Sequence, residues 1–205
     1  MSERPIALTQ QMHTNNLCIL LILIQEPHTN YFNSIIMSPN FRPVFPSNRV
    51  ISQDTIRAVI WVNRNIDTSQ WITLDIPNTN DISAIQIKNN QGVISIFNIY
   101  NNCTHSRNKN ILKTYIENNC NKILAMANHQ MIWEGNFNRH HPLWDNNKDT
   151  RLFTQQALNQ ASNLIELIAT YELNMPLPKR HTHPTTYGHQ KSIPIQTISL
   201  LLMAF

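Results

Sequence analysis

Short apolar or alternating segments separated by polar loops fill the first half of the chain. The run 17–24 is continuously apolar, which predicts a strand covered on both faces. Pro43 lies in the next segment, and proline restricts a strand to a sheet edge. Asn and Gly at 89–92 predict a hairpin turn. The later predicted strands are 41–45, 57–62, 71–76, 82–87 and 93–100.

The second half carries a helical period. Apolar residues recur three and four positions apart within 107–126 and within 151–171, which predicts two amphipathic helices. Ser106 is a candidate N-cap of the first helix. A short strand is predicted at 131–133 and a final strand within 193–205. Strands alternating with helices in this order predict an α/β layered domain.

Composition narrows the class of protein. A chain of 205 residues fits one domain, and three cysteines at irregular spacing suit neither a disulfide framework nor a metal clip. The net charge of +4 and pI of about 9.1 permit a polyanionic partner, although a solvated basic surface is the simpler reading. The apolar runs fall well short of the about 20 residues of a membrane span, and no secretory signal is present. An intracellular location, nuclear or cytoplasmic, is expected.

Polar residues follow several predicted strands. Glu26 ends the first strand and is either a ligand for a hard metal such as Mg²⁺ or a solvent-facing carboxylate. Tyr100 ends the strand 93–100, where a phenol either binds phosphate or marks the sheet boundary. Asn136 and Asn138 follow the strand 131–133, and their side chains point to one side. They belong either to a functional site or to a simple turn. Strand ends are where α/β sheets place their chemistry.

Other catalytic patterns are absent from the sequence. The nine histidines show no metal-binding spacing, which argues against zinc. Three widely separated glycines exclude a glycine-rich phosphate loop, and no GxSxG motif supports a serine hydrolase.

Three motifs together resemble those of a known superfamily. Gln25-Glu26-Pro27, Asn98-Ile99-Tyr100-Asn101 and the segment 133–145 are similar to motifs of the endonuclease/exonuclease/phosphatase superfamily, in particular the reverse-transcriptase-associated endonuclease domain of non-LTR retrotransposons. The long match at 137–144 is the specific part, and the resemblance extends over 17–195. It implies a four-layered α/β sandwich, with two mixed β-sheets face to face flanked by helices. It also implies Mg²⁺-dependent hydrolysis of DNA, with Mn²⁺ as an alternative metal. The resemblance further implies a monomer that was once fused to a reverse transcriptase.

The resemblance also assigns roles to residues. Glu26 would be the metal ligand, Tyr100 would orient a phosphate oxygen, and Asn138 would bind the scissile phosphate. Asn136 occupies the place of the aspartate that deprotonates the attacking water. Phe137 would pack in the core. The candidate nucleic-acid-binding residues are Arg139, His140, His141, Trp144, Lys179 and Arg180, of which His141 and Trp144 are expected mainly to shape the loop.

This sequence also departs from the family pattern. An amide at Asn136 cannot accept a proton, the segment 192–196 lacks the expected late aspartate, and no histidine follows His189. Each missing acid or base removes about 10²–10⁴-fold of rate, so hydrolysis is expected to be strongly impaired. Glu134 lies about 6.6 Å from Asn136 along a strand, which is too far to take over its proton without a bridging water. The expected organisation is a frayed segment 1–16 and a domain over 17–205 that is clipped at both ends.

Three hypotheses follow. The chain is an impaired Mg²⁺-dependent endonuclease, a nucleic-acid-binding module that does not cut, or a retroelement relic without a selected role. Salt-sensitive DNA binding separates the second from the third. A nicking assay beside Asn136→Asp separates the first from the second.

Overall fold

The computed structural model describes residues 20–30, 34–35, 37–50, 55–90, 92–102, 107–124, 128–145, 150–175 and 198–201. The predictions for the segment 1–16, the cap Ser106, the pair Lys179-Arg180 and the motif at 192–196 lie outside these residues. The strands are β1 (Leu21–Gln25), β2 (Phe41–Val44), β3 (Ala58–Asn63), β4 (Trp71–Thr73), β5 (Ile82–Asn89), β6 (Gly92–Tyr100), β7 (His129–Asn136) and β8 (Ile198–Leu201). The α-helices are α1 (Arg107–Asn118), α2 (Cys120–Ile123) and α3 (Gln155–Thr170).

The strands form two four-stranded sheets, ordered β2-β3-β1-β8 and β4-β5-β6-β7. The second sheet is mixed, because β7 runs parallel to β6 whereas the other pairs are antiparallel. In the part of the chain that the structure describes, all pairs of the first sheet are antiparallel. The strand that contains Pro43 lies at the sheet edge, as predicted.

The two sheets pack face to face around an apolar core. Leu21 and Leu23 of β1 contribute to a buried cluster that also contains Ile85 and Ile96 of the second sheet. Ile22, on the opposite face of β1, belongs to a separate buried cluster. This confirms a strand covered on both faces for residues 21–24 of the first apolar run, of which residues 17–19 lie outside the described ranges.

Helix α1 covers the outer face of the second sheet. Its residues Leu112 and Ile116 are buried in a cluster with Phe97 and Ile99 of β6. Phe137 is partly buried against the same cluster, in agreement with its expected packing role. The α/β sandwich implied by the resemblance is therefore present.

Several element boundaries differ from the sequence prediction. The predicted strand 71–76 is only β4, Trp71–Thr73, and the predicted strand 131–133 extends over His129–Asn136. The helix predicted at 107–126 is interrupted at Asn119, where φ is −119° and ψ is 20°. The second predicted helix begins later, at Gln155, since Thr154 Oγ1 caps it by accepting the N–H of Ala157 at 3.2 Å.

None of the helices in the described ranges is long and apolar enough to cross a membrane.

Candidate active site

The carboxyl ends of β6 and β7 bring two predicted site residues side by side. Tyr100 and Asn136 are register partners in this parallel pair. Just beyond them, the N–H of Asn101 donates to the carbonyl of Asn136 at 2.8 Å. The parallel pairing therefore fixes the phenol and the amide at the same edge of the sheet.

Arg57 links Glu26 to this edge of the sheet. The backbone N–H of Glu26 donates to the carbonyl of Arg57 at 2.9 Å. The guanidinium carbon of Arg57 lies 4.9 Å from the ring centroid of Tyr100. A single residue thus contacts the end of β1 in one sheet and the end of β6 in the other.

The backbone of Glu26 is in the left-handed region, with φ of 49°. This conformation costs a residue other than glycine about 1–3 kcal/mol and persists only where neighbouring structure holds it. The half-buried side chain therefore leaves β1 in a direction that ordinary strand alternation does not give.

Asn136 and Asn138 form a tight turn at the end of β7. The N–H of Asn138 donates to Oδ1 of Asn136 at 3.1 Å. Nδ2 of Asn138 donates to the carbonyl of Asn101 at 2.8 Å, and Nδ2 of Asn101 donates to the carbonyl of Phe137 at 3.0 Å. Asn138 has φ of 48°, a value that asparagine tolerates better than most residues. These bonds hold the two amides in fixed positions beside Tyr100.

A buried amide pair joins the two sheets directly behind this edge. Nε2 of Gln25 donates to Oδ1 of Asn98. Nδ2 of Asn98 donates to the carbonyls of Ile24 and Val59, at 3.0 and 2.9 Å. Gln25 precedes Glu26, and Asn98 lies two residues before Tyr100, so the pair sets the spacing between the site's two halves.

The oxygen donors fit a hydrated magnesium ion. The described residues hold no group of three His, Cys, Asp or Glu side chains that could bind a metal. Mg²⁺ needs only one or two carboxylates, because it keeps several of its waters. Glu26 would supply one carboxylate at this edge, which is compatible with an ion that keeps most of its waters.

Glu134 lies on the same strand as Asn136, one alternation earlier. Its register partner on β6 is Asn98, whereas the partner of Asn136 is Tyr100. The two side chains therefore share a face of β7 but occupy successive rungs, as the sequence spacing predicts.

Sequence reasoning missed a polar network around Tyr100. Nε and Nη2 of Arg57 donate to the two carboxylate oxygens of Asp81, at 2.8 and 3.2 Å. Nδ2 of Asn108 donates both to Oδ2 of Asp81 at 2.7 Å and to the carbonyl of Tyr100 at 2.9 Å. The only signal in the sequence was the position of Arg57 and Asp81, each directly before an apolar strand.

Arg139 is buried, whereas its predicted role in binding nucleic acid requires an accessible side chain. It is 7% exposed, and its Nη1 donates to the carbonyls of Asn102 and Asn138 at 3.1 and 2.8 Å. The guanidinium thus secures the turn after β7. A contact between Arg139 and nucleic acid remains a prediction.

The remaining loop residues bind one another. Oδ2 of Asp145 accepts the N–H of His141 at 3.0 Å and lies 3.2 Å from Nδ1 of His140. Nε1 of Trp144 donates to the carbonyl of Arg139 at 2.8 Å, and the rings of His141 and Trp144 are 5.2 Å apart. His141 and Trp144 therefore have contacts that shape the loop, whereas the side chain of His140 is half exposed.

Comparisons with known proteins concern the family and the fold of this chain. A family described as endonuclease-reverse transcriptase matches residues 94–202, which is more than half of the chain. A solved structure, the endonuclease domain of TRAS1, a telomere-specific non-LTR retrotransposon, matches with a TM-score of 0.55 and 18% identity over 79% of this chain. The match spans 64% of the length of that solved chain, and at this identity it shows the fold. No curated protein matches.

Proposed function

We propose a function from one established premise: this chain belongs to the endonuclease-reverse transcriptase family. We infer that its site binds the phosphodiester backbone of DNA, in the manner of a Mg²⁺-dependent endonuclease, and that hydrolysis is strongly impaired. The family description also suggests that the domain acts beside a reverse transcriptase.

The observation that carries the proposal is the clustering of polar residues at the ends of β1, β6 and β7. Tyr100 pairs in register with Asn136, Asn138 bonds to Asn136, and Arg57 connects Tyr100 to Glu26. Residues from distant parts of the sequence thus meet at one edge, where sheets place their chemistry.

Each residue then has a distinct task. Glu26 would hold Mg²⁺, which supplies charge stabilisation at a phosphate oxygen when bound. The phenol of Tyr100 would orient a phosphate oxygen. The second Nδ2 hydrogen of Asn138 would donate to the scissile phosphate, because the first is used in the bond to Asn101.

Asn136 is the reason for the impairment. A carboxylate at this position can take a proton from water, whereas an amide oxygen cannot. Oδ1 of Asn136 also accepts the N–H of Asn138, so the side chain acts in the turn. Loss of a positioned general base costs about 10²–10⁴-fold in rate.

A nicking assay tests both the activity and its impairment. Supercoiled plasmid is incubated with Mg²⁺ and either the wild-type chain or Asn136→Asp, with EDTA as the metal-free control. We expect Asn136→Asp to nick about 10²–10⁴ times faster than wild type. Asn65→Asp adds the same charge at an exposed position beyond the far end of β3 and should leave the rate unchanged.

The possible results are distinct. Equal nicking by wild type and Asn136→Asp contradicts the role given to Asn136. Absence of both nicking and DNA binding in the two proteins contradicts the endonuclease-type site itself.

A second candidate function is DNA binding without hydrolysis. The amide at Asn136 favours it, since this residue completes the turn but cannot act as a base. Salt-sensitive binding of a fluorescent duplex, with no nicking even in Asn136→Asp, is the result expected for this candidate.

A further inference from the structure

Arg57 occupies the junction between the two sheets at the candidate site. Its carbonyl accepts the N–H of Glu26, and its own N–H donates to the carbonyl of Asn80, both at 2.9 Å. Its guanidinium lies against the ring of Tyr100. The residue is therefore fixed by its backbone on two sides and by an aromatic ring on a third.

Asp81 fixes the orientation of the guanidinium. The Nε and Nη2 atoms form a two-point contact with its carboxylate, as a planar fork can do. Asp81 itself is held by Asn108 and by the bond from its N–H to Oγ1 of Thr79 at 3.0 Å. Little side-chain freedom is then left to lose when a ligand binds.

The outer edge of the guanidinium remains available. The two-point contact uses Nε and one side of Nη2, which leaves Nη1 without a hydrogen bond to any described residue. The side chain of Arg57 is 30% exposed, whereas that of Asp81 is only 8% exposed. A cationic, planar donor edge beside the ring of Tyr100 matches the geometry of a phosphate group.

We propose that Arg57 contacts a backbone phosphate of the bound DNA through its Nη1 edge. This proposal rests on the proposed DNA-binding function. It adds to that site a phosphate-binding residue that neither the sequence motifs nor the family resemblance assigns.

The salt dependence of duplex binding tests the proposal. Affinity is measured by fluorescence anisotropy at several salt concentrations in EDTA, for wild type, Arg57→Gln and Arg64→Gln. Glutamine keeps an N–H donor for Asp81 but removes the charge. We expect Arg57→Gln to lower the affinity about tenfold, whatever the DNA sequence, and to reduce the slope of log K against log salt by about 0.9.

Arg64 is the matched control. It is exposed and directly follows β3, whereas Arg57 directly precedes it, so the two arginines lie at opposite ends of one strand. Arg64→Gln removes the same charge and should leave the slope unchanged. Circular dichroism and thermal melting of each variant establish that it is folded.

A second measurement needs no variant and holds even if Arg57→Gln fails to fold. In the ¹⁵N-labelled wild-type chain, the guanidinium proton signals of Arg57 should shift when duplex is added, and those of Arg64 should not. Salt-sensitive binding with unchanged Arg57 signals, or with the wild-type slope in a folded Arg57→Gln, overturns this inference alone. A wild-type chain that binds no DNA overturns the proposed function and this inference with it.

Discussion

His129 shows how burial changes the chemistry of one side chain. It begins β7, and its Nε2 lies 3.1 Å from Oγ of Ser95. Its Nδ1 is buried and has no hydrogen-bond partner among the described residues. Because burial penalises the imidazolium, the pKa of His129 is lowered from its usual value of 6.5.

The lowered pKa of His129 predicts a pH dependence of stability. Between the folded and unfolded pKa values the unfolded chain binds more protons, so stability is retained above pH 6.5 and falls as the pH drops below it. His129→Gln should remove the part of the stability loss on acidification that comes from His129. Urea unfolding of both proteins at pH 7.5 and at about pH 5 measures the difference. A variant that loses as much stability as wild type on acidification would contradict the assignment to His129.

At the level of residues, the sequence was sufficient to find side chains that belong to a short motif, because their neighbours in the chain identify them. Tyr100 and Asn136 end β6 and β7, whereas Glu26 and Asn138 come just after β1 and β7. Sequence reasoning could not find Arg57, whose surroundings depend on contacts with Asp81 and Tyr100. Nothing near Arg57 in the sequence indicates either partner.

At the level of elements, β7 is longer than its apolar residues indicate. Parallel pairing with β6 continues from Val93 and His129 to Tyr100 and Asn136. The backbone bonds of this ladder extend the strand through polar residues and through Gly135, beyond the predicted strand 131–133. A pattern of side chains cannot show how far a backbone ladder continues, because the partner strand decides it.

Gly135 is required by this close pairing. Its φ is 141°, and a Cβ at this position would lie 2.0 Å from the carbonyl oxygen of Ile99. Gly135→Ala should therefore lower the free energy of unfolding by about 2–4 kcal/mol, since the backbone of β6 must move and the conformation is strained. Urea unfolding of Gly135→Ala measures the effect, with Gln130→Ala, an exposed substitution on the same strand, as the control. A loss below about 0.5 kcal/mol would show that β6 and β7 yield easily here.

At the level of the whole molecule, the Gln25–Asn98 amide pair joins the two sheets within the core. Both residues are at most 1% exposed, and they lie 73 positions apart in the sequence. Removal of Asn98 takes a side-chain donor from the carbonyls of Ile24 and Val59 and leaves Nε2 of Gln25 buried without its acceptor, which is costly. The pair thus relates the sheet that carries Glu26 to the sheet that carries Tyr100.

A double-mutant cycle tests this connection. Asn98→Leu should lower the free energy of unfolding by about 2–3 kcal/mol, and Gln25→Leu should lower it by about 1–2 kcal/mol. The double variant should cost less than their sum, because the second change then removes a group that already lacks its partner. The pair Gln86–Ser95, which bonds within one sheet at 3.1 Å, serves as the control cycle. Strict additivity at Gln25 and Asn98 would show that the two amides act independently.

The sequence by itself determined most of the strands, the edge position of the segment with Pro43, the approximate helices and the local motifs of the candidate site. These features depend on side-chain period and on backbone preferences within a few residues. Tertiary structure alone decided the antiparallel first sheet, the full length of β7, the Gln25–Asn98 pair and the position of Arg57 against Tyr100. Each of these depends on which distant segments pair, and that choice is made by the burial and hydrogen bonding of the whole chain.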